Sequence, residues 1–115
     1  KGDKADNIES AIAAYKESLK IRTETAFPQD WAMTQNNLGI AYRNRIKGDK
    51  ADNIESAIAA YKESLKIRTE TAFPQDWAMT QNNLGAAYSD RIKGDKADNI
   101  ESAIAAYKLS LKIRT

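Results

Sequence analysis

The chain has no cysteine, no histidine and no valine in its 115 residues. Without cysteine there is no disulfide framework, no thiolate zinc site and no thiol redox chemistry. Without histidine the commonest general base and the commonest transition-metal ligand are both absent. There are only two prolines and five glycines. No apolar run approaches the ~20 residues that a membrane-spanning helix needs, and no secretory leader is visible. Neither charge sign dominates: 18 basic residues stand against 16 acidic ones, for a net +2. A nucleic-acid binder needs a concentrated basic face, and a membrane-surface binder a polybasic segment. Neither is present, so no nucleic-acid or membrane partner is expected.

What is present is repetition. Residues 47–92 repeat residues 1–46 with three differences: Ile40 against Ala86, Arg43 against Ser89, and Asn44 against Asp90. Residues 93–115 repeat the first half again with one difference, Leu109 in place of Glu17 and Glu63. Repetition with this period marks a stacked array whose units bury their core against each other. The chain thus reads as a single repeat domain over 1–115, made of units 1–46, 47–92 and a half unit 93–115.

The first half of each unit is an amphipathic helix. Ile8, Ala11, Ile12, Tyr15 and Leu19 recur at helical spacing, with Glu9, Lys16 and Lys20 on the other side. Asp6-Asn7-Ile8-Glu9 has the form of a capping box, repeated at Asp52 with Glu55 and at Asp98 with Glu101. This helix, called B, is expected over 6–23, 52–69 and 98–115. Phe27-Pro28 then breaks the chain, since proline disfavours helix before it and suits the first position of a new one. A second helix, A, is expected over 28–47 and 74–93, with Asp30 in its first turn, where a negative charge suits the helix dipole. Its buried side is Trp31, Leu38, Ala41, Tyr42 and Ile46, and Gly48 is placed for a left-handed C-cap. The order is B-A-B-A-B. Connections this short force neighbouring helices antiparallel, and the stack becomes an all-α solenoid of five helices.

Asn37-Leu38-Gly39-x-Ala41-Tyr42, followed by Ala57-Ile58-x-x-Tyr61 and Leu65, resembles the tetratricopeptide repeat (TPR) motif. An ordinary repeat of that family has about 34 residues, so this one is a long variant. Leu65-Lys66-Ile67-Arg68 leading to Asn82-Asn83-Leu84 is similar to the long repeats of kinesin light chains. It is closer to the arrays in bacterial, especially cyanobacterial, multidomain signalling proteins. The resemblance implies that Gly39 and Gly85 lie where helix A presses on helix B. Tyr42, Tyr61, Tyr88 and Tyr107 fall on apolar faces and read as core anchors. Trp31 and Trp77 read as plugs between hairpins, with ligand contact as the alternative.

The resemblance also implies a concave groove lined by helix A. Its positions here are Met33, Asn36, Asn37, Ile40, Arg43 and Asn44, then Met79, Asn82, Asn83, Ala86, Ser89 and Asp90. The asparagines offer donors and acceptors to an extended peptide backbone, and Arg43 can hold a carboxylate. Asn37 and Asn83 match the asparagine of the family's carboxylate clamp. Met33, Asn36 and Ile40 stand where its lysines would be, so no clamp is expected. All three differences between the complete units fall on this groove. That fits a fixed scaffold with an adjustable face; the alternative is free drift of solvent-facing positions.

No phosphate-binding, dinucleotide or metalloprotease motif occurs. Asp49, Asp52 and Glu55 lack the pattern of a calcium loop. Translationally repeated groups suit a repeated binding surface and not one catalytic centre. The expectation is a non-enzymatic, cofactor-free and metal-free cytoplasmic scaffold for a peptide or protein. The alternative is a spacer or self-assembling array, natural or engineered, with no dedicated ligand. Both end helices are expected to expose apolar surface. Leu109 with Ile113, Ala105 and Ala106 forms a strip expected to drive self-association.

Overall fold

The computed structural model describes residues 2–114, and they form five α-helices and no strand. These are α1 (Lys4–Ile21), α2 (Pro28–Asn44), α3 (Lys50–Leu65), α4 (Pro74–Asp90) and α5 (Lys96–Leu111). Helices α1, α3 and α5 are the B type, and α2 and α4 the A type. They stack in chain order as an α-solenoid, each packed on the next, and α2 also touches α4.

The helix limits differ from the sequence expectation at both ends. The B helices start one turn early. Asp3, Asp49 and Asp95 are the N-caps, and their carboxylates accept from the amides of Asp6, Asp52 and Asp98. The series Asp3-x-x-Asp6-x-x-Glu9 offers two capping frames, and the earlier one wins. Gly48 and Gly94 decide it. Each sits at φ +82°, a conformation open to glycine at little cost, and turns the chain into the extended aspartate that follows. They therefore begin the next helix and do not cap the preceding one. The A helices stop at Asn44 and Asp90, where Arg45 and Arg91 become extended. Ile46 and Ile92 then fall in the connection and are exposed, not buried as expected. At the other end, α3 and α5 close at Leu65 and Leu111, earlier than expected.

Two kinds of junction alternate. In the A–B hairpins, α2 with α3 and α4 with α5, backbones come close. A Cβ on Gly39 would lie 2.5 Å from Tyr61 Cε1, and one on Gly85 2.9 Å from Tyr107 Cδ1. Ser64 Oγ donates to the Ala32 carbonyl at 2.8 Å, and Ser110 Oγ to that of Ala78 at 2.7 Å. Mid-helix glycine costs about 1 kcal/mol against alanine, and close tyrosine packing offsets that cost.

In the B–A junctions the contact is made by larger side chains. Ile54, Ala57, Ile58 and Tyr61 form one core with Leu84 and Ala87, and Tyr42, Leu65 and Tyr88 pack against it. Ile12, Leu38 and Ala60 form the equivalent core one unit earlier. Each large aliphatic buried this way stabilises by roughly 1.5–3 kcal/mol. Trp31 and Trp77 are buried in both units. Burial pushes the Tyr61 hydroxyl up to about 12, against the pull of the Arg43 charge.

Arginines in the A–B connections tie alternate helices together. Arg45 holds both oxygens of Glu9 on α1, at 2.6 and 2.7 Å, and also donates to Asn53 on α3. Arg91 does the same for Glu55 and Asn99. Lys47 with Asp6 and Lys93 with Asp52 run alongside. So Glu9 and Glu55 are not capping partners. The Arg45 and Arg91 guanidiniums hold their carboxyls below the ordinary value, against the effect of burial.

Candidate interaction face

The A helices α2 and α4 lie side by side, and the twelve groove positions divide among three environments. Met33, Ile40, Asn44, Met79, Asn82, Ser89 and Asp90 are exposed. Asn37, Arg43, Asn83 and Ala86 are half-buried. Asn36 is buried, at 2% exposure. That overturns its expected role as an open amide. Its oxygen accepts from Thr80 Oγ1 and from Asn83 Nδ2, both at 3.2 Å. Arg68 Nη1 reaches the same Thr80 hydroxyl at 3.4 Å. This line of polar groups crosses the interface between successive units, where a buried amide must find partners. Asn82, the equivalent of Asn36, is exposed because no described helix follows α5.

Arg43 and Asp90 also meet across the units, with Nε 2.9 Å from Oδ2. Two of the three positions that distinguish the copies are thus linked. The remaining open surface is a mixed strip. Met33 and Ile40 on α2 and Met79 on α4 supply apolar area. Asn37 and Asn83 supply amides between them.

One end of the strip opens into a cavity of about 140 Å³ near the N-termini of α2 and α4. Met33, Ile67 and Phe73 form its apolar wall, with Arg68, Asp30 and Asp76 around it. Small-molecule sites run to about 300–1,000 Å³, so this space suits one side chain of a partner. Asp30 is already paired with Arg22 at 3.0 Å. Among the described residues no group of three or more potential metal ligands comes together, and no described helix is long and apolar enough to cross a membrane.

Residues 31–72, from Trp31 in α2 through α3 and into the following connection, match the family model of the tetratricopeptide repeat. Over these residues the chain is similar to a tetratricopeptide repeat. Its motif residues do what the structure requires of them: Gly39 admits Tyr61, and Leu38 and Ala41 belong to the core between α1 and α2. That similarity suggests a protein–protein interaction repeat module. Neither the curated proteins nor the solved structures gave a match to the chain.

Sequence reasoning missed the Arg45–Glu9 and Arg91–Glu55 pairs, in which the partners are 36 residues apart. Their signal was the Arg-Ile-Lys-Gly-Asp connection, kept unchanged in both complete units. It also misjudged the terminal strip. Ala106 is buried and Ile113 half-buried, which leaves Leu109 and Ala105 as the open part. The larger exposed apolar side of α5 consists of Ile100, Ile104 and Leu111.

Proposed function

We propose that this TPR array is a non-enzymatic cytoplasmic scaffold, one repeat domain over 1–115, that binds an extended peptide or protein segment along the α2/α4 face. The observation that carries this reading is the strip of exposed Met33, Ile40 and Met79 with Asn37 and Asn83 between them. Apolar anchors surrounded by amide groups suit a segment that offers alternating side chains and backbone polar groups. The cavity beside Met33 receives one anchoring side chain. Arg43, Asn44, Ala86, Ser89 and Asp90 form the adjustable far end, and Asn82 extends the face toward α5. Asn36 supports the face from beneath.

A peptide array probed with the chain tests the reading. Peptides selected by the wild type are expected to lose at least tenfold in affinity to an Ile40→Asp, Asn83→Ala variant with an unchanged helical spectrum. Selected peptides that bind this variant equally well would overturn the groove assignment.

A second reading, a spacer or self-assembling array, draws on a different observation. Arg43 with Asp90, and Asn36 with Thr80 and Asn83, direct groove residues toward each other. On that reading no peptide is selected, and assembly depends on the ends.

A further inference from the structure

The cavity near the N-termini of α2 and α4 carries charges of both signs, and an ion pair of the first unit is broken there in the second. Arg22 and Asp30 pair at 3.0 Å. Their equivalents one unit on are Arg68 and Asp76. Arg68 is 8% exposed, and its Nη1 turns away to Thr80 Oγ1 at 3.4 Å, beside the Asn36 amide. Asp76 is half-buried and makes no ion pair or side-chain hydrogen bond among the described residues. Both residues line the cavity, together with Asp30 and the apolar side chains of Met33, Ile67 and Phe73.

A guanidinium has several N–H donors, and Arg68 commits one nitrogen to a long bond. No buried side-chain nitrogen or oxygen among the described residues lacks a partner, so its remaining nitrogens keep contact with the outside. For a residue this covered, the cavity is the opening. The space therefore offers donors from Arg68 and acceptors from Asp76, set in an apolar wall.

These groups decide what fits. A carboxylate would satisfy Arg68 but would face Asp76, whose charge has no partner. An ammonium would satisfy Asp76 but would face Arg68. Like charges brought together in this way oppose binding. An aliphatic side chain suits the wall and leaves both polar groups facing it without a partner. A primary amide is neutral, accepts through its oxygen and donates through its nitrogen. Size narrows the choice further. An apolar cavity of about 150 Å³ takes one benzene molecule, and this one measures about 140 Å³. Tyrosine and tryptophan side chains exceed benzene. Glutamine is smaller, and its methylenes suit Met33, Ile67 and Phe73.

We propose that this cavity selects a glutamine side chain of the bound segment, its oxygen accepting from Arg68 and its nitrogen donating to Asp76. The assignment rests on the peptide-face reading for the segment that carries the glutamine, and goes beyond it in naming the side chain.

Two measurements on the 115-residue chain separate the assignment from that reading. In the first, N-acetyl-glutamine methylamide and its glutamate, lysine and methionine counterparts are titrated in, read by NMR shifts of the Met33 methyl and the Phe73 ring. The glutamine derivative is expected to bind at least threefold more tightly than each of the others. In Asp76→Asn the preference is expected to pass to glutamate, because Arg68 stays and the Asp30 charge is already offset by Arg22. Asp76 makes no bond that its substitution would break, and circular dichroism verifies the fold. In the second, each residue of an array-selected peptide is replaced in turn by glutamine, glutamate, lysine or methionine. One position is expected to favour glutamine by the same factor, and to favour glutamate in Asp76→Asn.

The proposal is overturned if no derivative shifts these signals, if another derivative matches the glutamine one, or if Asp76→Asn leaves the preference unchanged. Selected peptides without any glutamine-favouring position overturn it while the peptide face stands. A glutamine preference among the derivatives, with no peptide selected, supports the cavity assignment and overturns the peptide face.

Discussion

Arg43 and Asp90 face each other across the repeat junction, Nε donating to Oδ2 at 2.9 Å. At these equivalent-face positions the first unit has Arg43 and Asn44, and the second Ser89 and Asp90. An array made only of the first unit would put asparagine opposite the arginine. One made only of the second would put serine opposite the aspartate. The differences between the copies therefore create an ion pair that neither copy would make alone.

That pair is open to solvent on both sides, so its contribution is small. A double-mutant cycle of Arg43→Ser and Asp90→Asn, read by denaturant unfolding, is expected to give a coupling of about 0.2–1 kcal/mol that shrinks with added salt. A salt-independent coupling well above that range would contradict an exposed pair.

Gly39→Ala sets helix propensity against packing. Propensity alone would stabilise by about 1 kcal/mol. The added carbon would meet Cε1, Cδ1 and Cζ of Tyr61, all within 3.0 Å. That ring is 1% exposed and has nowhere to move. Overpacking of this kind costs about 1–3 kcal/mol, so the variant is expected to be less stable than wild type. Gly85→Ala is expected to be better tolerated, since Tyr107 is only half-buried and belongs to the last helix. Urea midpoints of the two variants measure the difference.

The sequence carried most of the fold because its signals are local. Apolar spacing, Phe-Pro breaks and the repeat period place five helices, and Trp31, Leu38, Tyr61 and Leu84 pack as their spacing requires. The errors have physical causes. Asp3 and Asp6 are both competent caps, and only the glycine turn before Asp3 separates them. Asn36 reads as a surface amide until a neighbouring unit is laid over it, and that depends on the tilt between units, which no short window encodes. The same residue type at Asn82 is exposed, so sequence alone cannot tell the two apart. The arginine ties join residues on α1 and in the α2–α3 connection, and they become visible only when helices are stacked.

Acid is expected to loosen the arginine ties. Glu9 and Glu55 titrate below their ordinary 4.5, chiefly because Arg45 and Arg91 hydrogen-bond their carboxylates. A lowered folded value means that their contribution is present above pH 4.5 and is lost as pH falls through the folded value. Melting temperature should therefore decline below pH 4.5. In Glu55→Gln the decline should be shallower than in wild type, starting from a lower melting temperature at pH 7. Equal slopes for the two proteins would rule out this pair as a source of acid sensitivity.

Alkali is expected to act on Tyr61. Its folded value of about 12 lies above the ordinary 10.0, mainly through burial. A raised folded value means stability that is intact below pH 10 and is lost as pH rises toward 12. Each tenfold change in proton affinity corresponds to about 1.4 kcal/mol, so the loss is on the order of 2–3 kcal/mol. Tyr61→Phe should remove this component while leaving the ring packed on Gly39. Unfolding of both proteins across pH 9–12 tests it, with the other tyrosines contributing equally to each.

Asn36 and Asn82 make the last comparison, because one substitution at equivalent positions isolates the effect of the neighbouring unit. Asn36→Ala removes the acceptor shared by Thr80 and Asn83 and leaves the Thr80 hydroxyl between Arg68 and an apolar methyl. Leaving buried polar groups without a partner costs about 1–3 kcal/mol. Asn82→Ala removes an exposed amide, and surface changes of that kind stay within about 0.5 kcal/mol. Alanine is also the better helix former by up to about 0.7 kcal/mol, which favours both variants equally and cancels in the comparison. The expected gap between the two, read from urea unfolding, is therefore at least about 1 kcal/mol, with Asn36→Ala the less stable.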